Sequence, residues 1–438
     1  MKQTSVDPPK APVGRSVDWL LRRALVLKWQ IGPQNMRARQ TRKSDVLLPI
    51  LTANTVICQE MPHLRSRHRR AFEFVRTCLR AFTAAYRVMR LYGRQAKKTY
   101  GRSYLLQFYD ITRIWWYADL PPLEYYKAFM AQYRGGDEMF HFMDWHVIFR
   151  VVAHIQRDLH GDLPAPYNDK GAFGAWLRAN DLPGPKEIVV RGAHDQPSAD
   201  KLAGLGDGIV IKPCFSGYGD GFEVFEKSGA GHWSAKDKSL THADLADHVK
   251  SRAAAVRGGV VVQERLTNSA DLEAMCGKAL ATCRFVTMRN EYGEPELVEH
   301  FWRMGWPGSL VDNYNAGGLL WMADDMETGR LAFGLSVETA AQQRPLTHHP
   351  ITGDNMVASR HPDFDTMREL ALKAHRRMAG VFLAGWDVAS TAKGPMLVEV
   401  NIPCQTAPSA QLTTDGFSRW RYGQLLAYHA EKWLAARG

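Results

Sequence analysis

The stretch FLAGWDVASTAKGPMLVEVNIPCQ, residues 382–405, reads as two apolar strands, GWDVAST and PMLVEVNIPC, lying side by side. Asp387 and Glu399 are twelve residues apart, and Asn401 follows Glu399 by two. Side chains two apart on a strand share a face, so Glu399 and Asn401 point together while Val398 and Val400 point into a core. If the strands pair, Asp387 joins them. Three hard oxygen donors in one corner suit Mg²⁺, which takes one or two carboxylates and completes its shell with water and phosphate oxygens. Two facing carboxylates repel, and a cation is the economical way to offset them.

Upstream, short β-branched runs are separated by glycines: GIVIKP, GFEVFEK, GVVVQERL, CRFVTMRN and PELVEHFWRMG. This is α+β texture with antiparallel strands, not a βαβ alternation. In DGIVIKPCFSGYGDGFEVFEK (207–227) a strand ends at Lys212, and a loop holding Gly217, Gly219 and Gly221 leads to a second strand. Small residues let backbone N–H groups approach phosphate, and the lysine adds charge. There is no GK[ST] and no following helix, so neither a Walker A loop nor a dinucleotide fingerprint is present. The strand GGVVVQERL ends in Gln263 and Glu264, which read either as a plain strand exit or as the edge of an adenine pocket, with Glu264 or Asp271 on the ribose. Arg284 lies inside an apolar strand and needs an anion, from the protein or from a ligand.

The order of these pieces resembles the ATP-grasp superfamily, and most closely its sugar-transfer-associated branch. The branch is visible in CRFVTMRN, RMGWPGSLVDNYNAGGLLWMADDMETGRL (303–331), HHPITG (348–353) and GWDVASTAKGPMLVEVN. The resemblance covers residues 160 to about 430 and extends loosely back to LPPLEYYKAF (120–129). It implies an ATP-grasp fold, two α+β subdomains gripping ATP, behind a helical basic N-terminal region. The expected division is 1–160 and 161–438, with a nucleotide flap at about 206–265 and a metal-binding part at about 266–430. It further implies ATP and Mg²⁺ as cofactors, with Mg²⁺ on Asp387, Glu399 and Asn401. Nucleotide contacts would come from Lys170, Lys212, Ser216, Gly217, Gly219, Gln263, Glu264 and Asp271. Catalysis would rest on Arg284 and Lys212. Arg303, Asp312 and Asn313 are candidates for the acceptor substrate, although VDNYNAGG reads equally as a tight turn. One departure is NIPCQ after Glu-x-Asn, which brings Cys404 to the metal corner, where it reads as a space-filler.

The implied activity is a carboxylate–amine ligase acting through an acyl phosphate, on an acidic sugar or a small amino-acid-like carboxylate in polysaccharide or related biosynthesis. The rival readings are a peptide-bond ligase for a small metabolite and a nucleic-acid-binding protein. The second is disfavoured, because no RNA-binding sheet or helix-turn-helix is evident. Of 56 Lys and Arg against 45 Asp and Glu, residues 1–100 hold 21 against 5. All the basic excess therefore lies in the first quarter of the chain. An anionic membrane or an acidic glycan would meet it, as would a merely solvated helical surface.

Residues 15–160 read as helical, with HGDLPAPYNDK (160–170) as the boundary. MKQTSVDPPKAP at the start reads as disordered, and WLLRRALVLKW (19–29) as a basic amphipathic segment, not a signal peptide. No apolar run reaches the roughly 18–20 residues of a membrane span. Six cysteines without a CxxC pair point to a reducing, cytoplasmic setting, with peripheral contact at the inner membrane face as an option. His348 and His349 read as loop residues.

Overall fold

The computed structural model describes residues 46–437 except 61–66, 119, 168, 193–194, 196, 216–220, 229–230, 236–237, 306–313, 315–316, 403, 405–410 and 414–415. The expectations for residues 1–12 and 19–29 fall outside the described residues. The architecture is α+β, with two six-stranded antiparallel sheets. The first contains β1 (Glu187–Val190), β2 (Gly208–Pro213), β3 (Glu223–Lys227), β4 (His232–Ala235), β5 (Lys238–Thr241) and β6 (Val260–Glu264), in the order β1-β6-β2-β3-β4-β5. The second contains β7 (Thr282–Arg289), β8 (Pro295–Met304), β9 (Leu319–Ala323), β10 (Leu331–Leu335), β11 (Leu383–Thr391) and β12 (Gly394–Asn401), in the order β10-β9-β8-β7-β11-β12.

In sheet one the strand β6 is buried at all five positions, so both of its faces are covered. Ile209 and Ile211 of β2, Phe225 of β3 and Val260 and Val262 of β6 pack on Leu245, Val249 and Ala253 of a helix running from His242 to Ala255. Val210, Lys212, Val261 and Gln263 lie on the opposite face. Sheet two is covered on both sides, which explains why β11 is buried at all nine positions, Asp387 included. One face packs on Phe364–Arg377 through Phe364, Met367 and Ala371. The other packs on three helices, α1 (Leu47–Gln59), Trp145–Ile155 and Arg421–Ala435, through Leu47, Ile50, Val151, Leu426 and Trp433. Helices before residue 160 therefore complete the core of the C-terminal sheet. Two more helices, α2 (Arg67–Tyr100) and α3 (Tyr104–Ala118), form a separate cluster with Tyr125, Tyr126 and Phe140.

The β11–β12 hairpin turns on Ala392 and Lys393. Gly394 enters β12 at φ +96°, a conformation that favours glycine. The Thr391 hydroxyl donates to the Gly394 carbonyl at 2.7 Å and accepts from the Lys393 N–H at 3.1 Å, closing the turn.

Candidate functional site

The hairpin register sets Asp387 directly opposite Glu399 and Gly385 opposite Asn401. On its other side Asp387 faces Arg284 of β7, and Arg284 faces Phe301 of β8, two residues before Arg303. Opposed residues in an antiparallel sheet share a face. Asp387, Glu399, Asn401, Arg284 and Arg303 thus converge although they come from four strands.

Asp387 is buried among cationic donors. Arg284 donates Nε to Oδ1 and Nη2 to Oδ2, the latter at 2.9 Å, and Arg303 donates Nη1 to Oδ2 at 2.9 Å. Asn401 Nδ2 reaches the same Oδ2 at 3.5 Å. Burial pushes the Asp387 carboxyl up, but the two guanidinium groups outweigh it and hold it below the usual carboxylate range. Burial likewise opposes the Arg284 charge, and Asp387 more than offsets that. Glu399 is more open, with 39% of its side chain exposed, and pairs with Lys170 Nζ at 3.2 Å.

Two expectations are corrected here. The facing carboxylates are offset by protein cations, two arginines on Asp387 and a lysine on Glu399, so their proximity does not itself demand a metal. Val398 does not sit in the core as Val400 does. The register slips from Asp387↔Glu399 to Val388↔Leu397, leaving Val398 as the extra, half-buried residue of a bulge. Leu397 and Val400 take the core positions instead.

Lys170 reaches the corner from the first sheet's side. It opens a helix, Lys170–Ala179, capped by Asp169, whose carboxylate accepts from the N–H groups of Gly171 at 2.9 Å and Ala172 at 3.2 Å. Arg191 braces Asp169 at 2.7 Å, and the Lys170 N–H donates to the Cys214 carbonyl, just past Lys212, at 3.1 Å. The helix lies so close to β1 that a Cβ on Gly171 would meet a Val189 methyl at 2.8 Å, and one on Gly174 the Glu187 carboxylate at 1.8 Å. This close approach carries Lys170 from the face of sheet one to Glu399 of sheet two.

Lys212 and Gln263 share that face, two register steps apart. Gln263 Nε2 donates to Glu187 at 3.0 Å. The Glu264 carboxylate accepts from the Lys186 N–H at 2.9 Å and pairs with Lys393 of the β11–β12 turn at 2.5 Å. Asp271 is exposed in the first turn of the helix Ala270–Cys276. Ser216, Gly217, Gly219, Asp312 and Asn313 lie outside the described residues.

Sequence reasoning missed several participants. Arg303, expected on the acceptor side, is the second clamp on Asp387. Lys393, Glu187, Asp169 and Arg191 carry no motif, and only the hairpin tip at Lys393 left a readable signal. Cys404 does pack into the corner, with its Cβ 2.5 Å from where a Cβ on Gly385 would be. Burial pushes its thiol up to about 12, which suits a filler and not a nucleophile. Glu299 was not anticipated at all. It faces Val286, two register steps from the Arg284 pair, and neither of its buried carboxyl oxygens has a hydrogen-bond partner among the described residues. Burial raises its pKa well above the usual value, although Arg284 pulls the other way, which favours the neutral acid.

A raised folded pKa contributes stability below the unfolded pKa and loses it as pH rises. At neutral pH, keeping Glu299 protonated therefore costs stability. Glu299→Met is expected to raise stability by about 1–3 kcal/mol at pH 7.5, with a smaller gain near pH 5. Thermal melts of both proteins across that range would check it, and an equal or reversed gain at low pH would contradict the neutral acid.

A family model described as sugar-transfer associated ATP-grasp matches residues 166–416, more than half of the chain. No curated protein matches. Similar solved structures include a RimK domain ATP-grasp protein from Sphaerobacter thermophilus, at 14% identity over 64% of this chain and 76% of that one, with a TM-score of 0.34. D-alanyl-alanine synthetase A from Vibrio cholerae is similar at 13% identity over 62% and 66%, with a TM-score of 0.35. A D-alanine–D-alanine ligase from Bacillus anthracis complexed with ATP is similar at 11% identity over 62% and 68%, with a TM-score of 0.36.

Proposed function

The chain belongs to the sugar-transfer associated ATP-grasp family, and on that premise we propose that it is an ATP-dependent carboxylate–amine ligase. The observation that carries this reading is the corner itself. Three cations (Lys170, Arg284 and Arg303) and three oxygen donors (Asp387, Glu399 and Asn401) meet between two sheets.

Such a site suits phosphoryl transfer, where positioning and charge supply most of the catalysis. A carboxylate oxygen of one substrate attacks the γ-phosphorus of ATP, and ADP leaves. The amine of the second substrate then attacks the acyl carbon, inorganic phosphate leaves, and the new amide nitrogen gives up a proton. Lys170 and Lys212 act as compact charges for the nucleotide phosphates. Arg284 and Arg303 carry the positive charge that stabilises the transferring group, and Asp387 holds both guanidinium groups in place.

The donor set fits a divalent cation. Glu399 is half-open, Asn401 lies beside Asp387, and among the described residues Asp387 Oδ1 accepts only from Arg284 Nε and so keeps a lone pair. Mg²⁺ held by Glu399, Asn401 and Asp387 Oδ1 would offset the charge of the terminal phosphates. The glycine loop after Lys212, with Ser216, Gly217 and Gly219, is assigned to the phosphates. Gln263, Glu264 and Asp271 are assigned to the nucleoside, and Asp312 and Asn313 to the acceptor. The substrate class that fits this reading is an acidic sugar or a small amino-acid-like carboxylate, used in polysaccharide or related biosynthesis in the cytoplasm.

Calorimetric titration of ATP with and without Mg²⁺, on wild type and Glu399→Gln, tests the reading. Micromolar binding that requires Mg²⁺ and is weakened at least tenfold in the variant is expected. Absence of ATP binding in the wild type would overturn the ligase assignment.

A further inference from the structure

The helix α2 is built inside out. Its fully buried positions are small residues, Ala81, Ala84, Ala85, Gly93 and Ala96, with Val88, Met89 and Tyr92 half-buried beside them. Four large apolar side chains point the other way: Val75, Leu79, Phe82 and Tyr86 are 58, 62, 45 and 62% exposed. Their spacing of i, i+4, i+7 and i+11 places all four in one stripe along the helix. A second stripe, beside the first, holds the exposed Arg87, Arg90 and Arg94. Over its whole length α2 carries ten Lys and Arg and one acidic residue, Glu73. The neighbouring α3 extends the apolar surface. Its Phe108 stacks on Phe82 with ring centroids 6.0 Å apart, and Leu105 and Tyr109 are 78 and 56% exposed.

A contiguous apolar surface edged by arginines is a binding face, because isolated exposed apolar residues are ordinary but a stripe of them is not. Charge chooses among its occupants. Residues 1–45 hold ten Lys and Arg against three Asp and Glu, a composition that disfavours them as occupants of a basic face. A second copy docking by the same face would set one row of arginines against another. A nucleic acid duplex would satisfy the arginines and leave Leu79 and Leu105 in water. An anionic bilayer answers both features, with headgroup charge for the arginines and an acyl boundary for the apolar stripe. We propose that the α2–α3 face seats this protein on an anionic phospholipid surface, with Leu79, Phe82, Tyr86 and Leu105 at the acyl boundary and Arg87, Arg90 and Arg94 among the headgroups. The inference does not depend on the ligase reading, since it uses no residue of the catalytic corner.

Vesicle flotation of the full-length chain tests it, with phosphatidylcholine vesicles compared against phosphatidylcholine–phosphatidylglycerol vesicles. The protein is expected to float with the mixed vesicles and not with phosphatidylcholine alone. The paired substitutions Leu79→Ser with Tyr86→Ser, and Arg87→Gln with Arg90→Gln, should each weaken binding roughly tenfold or more. Melting temperatures should stay unchanged, because all four side chains are exposed. Four outcomes would each overturn the proposal: no flotation with the mixed vesicles, flotation unaffected by both pairs, binding to duplex DNA in place of vesicles, or a solution dimer that the Leu79/Tyr86 pair dissociates.

Discussion

Asp387→Asn is expected to lower the stability of the protein by about 3–5 kcal/mol, because it removes the one anion between two buried or half-buried guanidinium groups. Arg284 keeps only 10% of its side chain exposed, so loss of its partner leaves a mostly buried charge without its counterion. Arg303 is more exposed and can turn towards water. It follows that the double substitution Arg284→Met with Asp387→Met should cost less than Asp387→Asn alone, since charge and countercharge leave together. Thermal or denaturant unfolding of the three proteins measures both statements. A wild-type-like melt for Asp387→Asn would mean that the corner is not held by this ion cluster. The same substitution is expected to abolish ligase turnover, because Arg284 and Arg303 lose the group that orients them.

Acid should unfold this protein between about pH 6.5 and pH 4. His300, His375 and His429 are buried, and burial pushes each down to about 4. Each donates or faces a fixed neutral partner: His375 lies 3.0 Å from the Val381 carbonyl and 2.7 Å from the Thr287 hydroxyl, and His429 is 2.7 Å from the Arg289 carbonyl. With folded pKa values below the unfolded value, the unfolded chain binds more protons throughout that window. Stability therefore falls as pH falls through it, and the loss levels off below about pH 4. Each histidine contributes up to about 3 kcal/mol to this loss, at 1.36 kcal/mol per pKa unit. Three together approach the roughly 5–15 kcal/mol that holds a typical domain folded. Asp387 adds to the trend at the acid end, since its depressed pKa means that stability is lost as the carboxyl protonates. A melting temperature that stays flat from pH 7 to pH 4.5 would contradict this account. His375→Gln, which keeps a donor but cannot titrate, should flatten the curve in part.

The hairpin of residues 383–401 was readable because its apolar run, its period of two and its glycine turn are all local. So was the shared face of Glu399 and Asn401, a consequence of strand geometry alone. The bulge at Val398 was not, since any residue can occupy it and only the pairing with Val388 reveals it. The long periodic run around residues 69–98 was legible as the helix Arg67–Tyr100. Which of its faces meets solvent was not, because burial there follows from where α3 packs and runs against the usual preference for large residues inside.

By itself the sequence determined the α+β class, the antiparallel strands, the position of the oxygen-donor corner and its family. Tertiary structure alone decided what balances that corner. Lys170, Arg284 and Arg303 reach Asp387 and Glu399 across chain separations of 84 residues or more, through strand register and the close seat of one helix on β1. Periodicity records which face a residue takes within its own element. Coulomb attraction depends on distance in space, and that distance exists only once the sheets have paired.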